Sequence, residues 1–293
     1  MSTPSRFPWL LIGAFAALYL IWGSTYLAVR IGIQSWPPLL LGGVRFVLAG
    51  ALMYAFLRGR GAAAPSAAQW RGSLLVGLLL ISCGNGGISL AMQLGVASGV
   101  AALATATVPL FTLLFGLFWG QRQSALEWAG IALGLFGIGL LNFGGNLQSS
   151  PLGALLILLS AAAWAFGSIW GRSQPQPSGA MASATQMLCG GVALLLGGLL
   201  SGERLEQMPS TAGWLALLYL ALFGSIIAFS AYLYLLKHVR PAAATSYAYV
   251  NPLVAMLLGI LFAGEQIDAN EWLALLIILS AVLLIGLRRP GKA

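Results

Sequence analysis

Apolar runs follow one another along almost the whole of this chain, with only short polar connections between them. Ten can be drawn, near residues 9–30, 37–57, 72–92, 96–119, 126–143, 151–171, 179–200, 213–237, 241–263 and 270–287. About 20 residues at about 1.5 Å rise cross a hydrocarbon core about 30 Å thick, so each run has the length of a membrane-spanning helix. Only helices and closed barrels satisfy every backbone polar group in lipid. Barrel strands would be alternating segments of roughly ten residues, and the sequence has none of that texture. The expected fold is therefore an all-α membrane protein of ten transmembrane helices.

Composition agrees. Of 293 residues, 59% are hydrophobic and 7% charged, against roughly 25% charged in a soluble domain. The net charge of +8 is explained by its placement. With a cytoplasmic N-terminus, eleven basic residues fall inside: Arg6, Arg58, Arg60, Arg71, Arg122, Arg172, Lys237, Arg240, Arg288, Arg289 and Lys292. Two, Arg30 and Arg204, fall outside, and Arg45 lies within a helix. The positive-inside rule thus places both termini in the cytoplasm. No basic cluster with interleaved aromatics points to nucleic acid, so the partner implied by composition is the lipid bilayer.

The first run is too long for a signal peptide and has no evident cleavage site, so it is expected to be retained. Cys83 and Cys189 lie within apolar runs and are expected to pack as small apolar residues. With His238 as the single histidine they make no usual zinc set, and neither metal nor cofactor is expected.

The two halves resemble each other at an offset of 143 to 144 positions. IWGSTY (21–26) aligns with AFGSIW (165–170), TVPLFTLLFG (107–116) with VNPLVAMLLG (250–259), and LEWAG (126–130) with NEWLA (270–274). Residues 1–147 and 148–293 then form two five-helix repeats. Five is odd, so the second repeat enters the membrane the other way round, an inverted five-plus-five repeat around a central cavity. That arrangement favours transport, although channels use it too.

Pro109 and Pro252 match in the alignment. Each lies about ten residues into its helix, about 15 Å deep and near the midplane. A proline lacks an amide donor and frees the carbonyl four residues earlier, here Thr105 and Ala248. Such carbonyls survive at membrane depth only against protein or a wet cavity. Either a packing kink or a substrate cavity would meet that condition, and the symmetry of the pair favours the cavity.

Buried hydroxyls often bond back to their own helix. Asn85 and Asn251 are costlier to leave unpaired in hydrocarbon and should face protein or water. Trp36, Trp70, Trp119 and Trp128 lie near helix ends and are expected as interfacial anchors. Trp22 and Trp164 lie deeper, either as packing residues or as an aromatic wall for a substrate. GLFWG (116–120) and GIALG (130–134) let helices approach closely, within the chain or at a homodimer face.

Arg45 is the anomaly, a cation about 12 Å deep in a chain with no acidic residue before Glu127. No predicted helix interior holds a carboxylate, and the repeat alignment places Gln186 at the position matching Arg45. Its stem could lie in lipid with the head at the outer headgroups; it could be a structural tie held by carbonyls; or it could face the pathway and attract an anion. The missing intramembrane acid also predicts a facilitator or exchanger rather than an ordinary proton-coupled carrier.

WGSTY in helix 1, NP in helix 9 and the five-plus-five pattern resemble the drug/metabolite transporter superfamily and its EamA-type members. The runs LYLIWGSTYLAVRIGIQSWPP, ALFGSII and ATSYAYVNP are similar to the YedA-like bacterial inner-membrane exporters, and the resemblance spans essentially the whole chain. It implies a basket of helices around a central cavity, with helices 5 and 10 to one side. It also implies export of small metabolites, including amino acids, or of toxic compounds. Gln186 is a departure, since that group has an acid there, and the resemblance therefore implies no charge pair with Arg45.

Without an acid pair, an activated nucleophile or a metal set, no enzyme is expected. The residues expected to line the site of a small-molecule substrate are Trp22, Tyr26, Asn85, Thr105, Trp164, Ser168, Tyr249 and Asn251, with Arg45 near the outer mouth. A passive pore and a translocator of a lipid-linked or phosphorylated substrate are the alternatives.

Overall fold

The computed structural model describes residues 8–120, 124–142, 150–238 and 247–286. Among these, every regular element is helical. The helices are α1 (Pro8–Gly32), α2 (Pro38–Gly59), α3 (Ala67–Gln93), α4 (Ser98–Gly116), α5 (Ala125–Asn142), α6 (Pro151–Trp170), α7 (Ala180–Leu200), α8 (Thr211–Tyr219, continuing through Ala228–His238), α9 (Tyr247–Ala263) and α10 (Ala269–Gly286). Seven of them, all but α5, α9 and α10, are long and apolar enough to cross a membrane, and these three contain shorter apolar stretches.

Local chemistry sets the boundaries. Prolines open α2 and α6, where a missing N–H costs nothing. The first turn of α3 begins at Ala67 rather than at 72, because Ser66 and Gln69 form a reciprocal capping box. Such boxes recur with Ser124 and Glu127 before α5 and with Asp268 and Glu271 before α10. The two Glu–Trp matches of the repeat are therefore helix starts.

Several helices depart from α geometry. Residues Leu78–Gly86 of α3 and Leu220–Ile227 of α8 are π-helical, a wide-turn form often found at functional sites. Helix α4 stops at Thr105 and resumes at Val108, just before Pro109. Pro252, its counterpart, is accommodated inside a continuous α9. The expected symmetry of the two prolines is thus broken, with one at a gap and one within a helix.

Packing is densest between α2 and α7, which run antiparallel. A Cβ on Gly50 would stand 2.9 Å from both the Ala184 carbonyl oxygen and the Leu188 nitrogen. One on Gly191 would meet Val47 N at 2.8 Å. Only glycines permit this approach of backbones. Helix α1 packs on α8 and α9, α6 packs on α3 and α4, and α5 and α10 pair chiefly with each other.

Contacts between helix ends define one end of the bundle. Ser210 Oγ donates to Ser35 Oγ at 3.2 Å, and Gly153 lies against Val96. Glu203 Oε2 accepts from Leu40 N at 2.9 Å, and Glu265 Oε1 from Ser98 N at 2.6 Å. We call this the far end; α1 and α3 begin at the near end. The main core lies towards the far end, with Met92, Val96, Val100, Leu103 and Ile157 fully buried.

Two expectations fail here. Trp36 is no interfacial anchor: it is buried at 3% exposure, edge-on to Trp214 with ring centroids 4.9 Å apart. The α8 start covers it, which a position near a helix end could not reveal. Cys83 is exposed rather than packed inside, and both cysteines are free.

Replacing Gly50 with Ala is expected to cost about 1–3 kcal/mol through overpacking and to lower the melting temperature in detergent. Gly13→Ala, where an added Cβ meets nothing within 4 Å, should leave it unchanged or raise it. Equal effects of the two would refute the close-packed seam.

Candidate substrate cavity

A cavity of about 390 Å³ lies between the helices, at the lower end of the ~300–1,000 Å³ typical of ligand pockets. Its far side stops at the buried core. On the near side its wall reaches Ser183, Tyr232 and Tyr247 and ends at the exposed Arg172. The π segments of α3 and α8 both contribute to the wall, through Leu80, Gly84 and Asn85 and through Gly224 and Ser225.

Of the residues singled out in the sequence, Trp22, Tyr26, Arg45, Asn85, Thr105, Trp164, Ser168 and Asn251 all line this one cavity, as do Pro109 and Pro252. The Tyr249 side chain lies outside the described residues. The structure assigns them different tasks. Tyr26 and Thr105 join α1 to α4 by a hydrogen bond of 2.6 Å, while Thr105 Oγ1 donates to Ala102 O. The Tyr26 hydroxyl is therefore the donor between them. Trp22 Nε1 donates to Gly224 O at 3.0 Å, tying α1 to the π turn of α8. Ser168 spends its proton on Trp164 O of its own helix. Asn85 Nδ2 likewise donates to Leu80 O within its π turn. Asn251 differs, being buried with an Oδ1 that has no partner among the described residues.

Arg45 is 7% exposed, so its head does not reach the lipid headgroups. Its Nε donates to Ser225 Oγ at 2.9 Å, and Ser225 in turn donates to Leu220 O five residues back. The guanidinium lies over Phe46, 4.5 Å from the ring centre. Gly224 leaves room for it, since a Cβ there would come within 3.1 Å of Nη2. Gln186, the counterpart of Arg45, also lines the cavity and donates to Gln176 Oε1.

Sequence reasoning passed over part of the wall. Tyr247, Tyr232 and Phe229 cluster with Trp22, the Trp22–Tyr247 centroids lying 4.9 Å apart. Tyr247 and Asn251 stand one turn apart on α9, and that i, i+4 spacing was the available signal. Arg172, one of the basic residues assigned to the cytoplasmic side, stands at the rim. None of the six acidic residues lines the cavity, so among the described residues its wall carries two arginines and no carboxylate.

Comparison with known proteins places this geometry. YedA of Escherichia coli (strain K12), described as an uncharacterized inner membrane transporter, is 53% identical over 285 residues, spanning 96% of this chain and 93% of its own. A probable amino-acid metabolite efflux pump of the same organism is 25% identical, spanning 94% and 95%. One crystal structure superposes with a TM-score of 0.66 at 23% identity over 94% of this chain and 96% of the other, a likeness of fold. The EamA-like transporter family matches twice, at residues 8–143 and again at 151–287. With both matches together covering nearly the whole chain, this protein belongs to the EamA-like transporter family.

Proposed function

We propose that the chain is a secondary transporter that exports small amphipathic metabolites across the bacterial inner membrane by alternating access. Amino acids and related compounds, or drugs, are the substrate range considered, and the name of the efflux-pump relative is in keeping with that range. The observation that carries the reading is a cavity sealed at one end of the bundle and reaching the other. A passive pore would be continuous, whereas a carrier is closed on one side at a time.

Ten transmembrane helices in an inverted five-plus-five repeat, with both termini cytoplasmic, complete the proposal. Three observations support it. The family match falls once on each half. The π segments occupy corresponding positions in α3 and α8. The packing of α1 on α8 and α9 mirrors that of α6 on α3 and α4. The near end is then the cytoplasmic one, and the structure is the inward-facing state. Opening to the other side requires the far-end core to part and the Glu203 and Glu265 contacts to release.

Two measurements test this. In a chain without Cys83 and Cys189, cysteines placed by Ser35→Cys and Ser210→Cys should form a disulfide, since the native hydroxyls are 3.2 Å apart. Oxidation should reduce flux at least tenfold and reduction should restore it; undiminished flux with the bridge formed would exclude movement at this end. Separately, proteoliposomes loaded with mixed amino acids and small organic acids should lose a few species selectively and saturably. Flux linear in concentration for every species would mean a pore, and no flux at all would remove the transporter reading.

A further inference from the structure

The charge of the cavity wall narrows the substrate class. This inference rests on the reading of the cavity as the substrate pathway. Among the described residues two cations line it, Arg45 in the interior and Arg172 at the rim, and no anion does. In the interior a charge without a counter-charge is expensive, and no carboxylate of this chain is placed to supply one. Arg45 is held by one edge only: Nε is bound to Ser225, and no described residue accepts a hydrogen bond from its terminal nitrogens. A guanidinium fixed at Nε, with its fork unoccupied beside a cavity, is a receptor for a planar two-oxygen anion.

The remaining wall describes the rest of the ligand. Trp22, Phe229, Tyr232 and Tyr247 form a continuous aromatic cluster, suited to an apolar or aryl body. Asn251 Oδ1, buried and without a partner among the described residues, offers one neutral acceptor, enough for a hydroxyl or amide N–H. It is a poor answer to an ammonium group, which would enter a cavity already positive and find no carboxylate. Arg172 at the rim would raise the local concentration of anions and repel cations.

We infer that the substrate is an amphipathic organic monoanion, a carboxylate bound at Arg45, and that its export is electrogenic and driven by the membrane potential alone. The second part follows from the first. A cell interior is negative, so an anion leaving it moves down the electrical gradient, and each charge moved does work proportional to the potential. Such a carrier needs no proton site, and none of the six acidic residues lies in the cavity wall.

The test uses 3-phenyllactate and phenylalanine, which share a ring and carboxylate and differ in bearing a hydroxyl or an ammonium. Purified protein is reconstituted in liposomes with a tenfold potassium gradient, high inside, clamped by valinomycin, and protein-free liposomes report leak. A uniported monoanion should settle at a tenfold outward ratio, one for one with the potassium ratio. A pH gradient imposed at zero potential should leave its distribution at unity. Phenyllactate should bind the detergent-solubilised protein at least tenfold more tightly than phenylalanine. Arg45→Gln should erase that preference, and Arg45→Lys should retain part of it. The wild-type ratios stand even if the variants do not fold. Saturable phenylalanine transport with no phenyllactate transport, or a phenyllactate ratio of unity under the potassium gradient, would overturn the inference while leaving the transporter reading in place. Loss of saturable flux for the whole metabolite panel is the separate outcome that would remove that reading.

Discussion

Hydrocarbon cannot accept or donate a hydrogen bond, and nearly every polar choice in this chain answers to that fact. Hydroxyls in the helices are spent on neighbouring carbonyls, as Ser168 on Trp164 and Ser160 on Leu156. Others fasten one helix to another, as Ser24 to Tyr219 and Ser73 to Thr185. Two groups left unspent among the described residues face one cavity, the free edge of Arg45 and the Asn251 carbonyl, while Trp36 Nε1 and Ser98 Oγ are unpaired away from it. In water such groups would be unremarkable. At membrane depth they are costly to leave unpaired, and the proposed substrate path rests on the two that face the cavity.

The same constraint explains the unusual backbone. A π turn or a gap before proline leaves carbonyls and amides out of register, which lipid would penalise by several kcal/mol per unsatisfied group. Both π segments and the gap in α4 lie on the cavity wall. Side chains recruited from within the turn, Ser225 to Leu220 and Asn85 to Leu80, use the i−5 carbonyl that the wider turn presents. Ser225 then receives Arg45, so the local irregularity of α8 is what positions the buried cation.

Much of this was legible in the residues. Apolar run lengths located the helices, and the Glu–Trp matches marked corresponding helix starts. Eight of the nine expected site residues share one cavity, because a polar or aromatic side chain at membrane depth has few other places to be. What could not be read were relations between distant segments. Trp36 sits near a helix end like the other interfacial tryptophans, and only the approach of α8 buries it. The three alternatives for Arg45 differed in neighbours supplied by Phe46 and by Ser225, the latter 180 positions away. A π turn has no compositional signature comparable to a proline, so neither segment was anticipated. The aromatic cluster draws Phe229 and Tyr232 from α8 and Tyr247 from α9 onto Trp22 of α1, a meeting of distant segments that no local pattern announces.

The carboxylates at the far end bear on how the protein is made. Helices α2 and α4 begin without a side-chain cap of their own. Their first amides are taken up by Glu203 and Glu265, both in the second half. Helices α3, α5, α6, α8 and α10 instead carry local caps from Ser66, Ser124, Ser150, Ser210 and the Asp268–Glu271 pair. During synthesis the first half therefore enters the membrane with two bare helix ends, which only a later stretch of the same chain can cover. Those two starts in the first half are thus completed by carboxylates of the second.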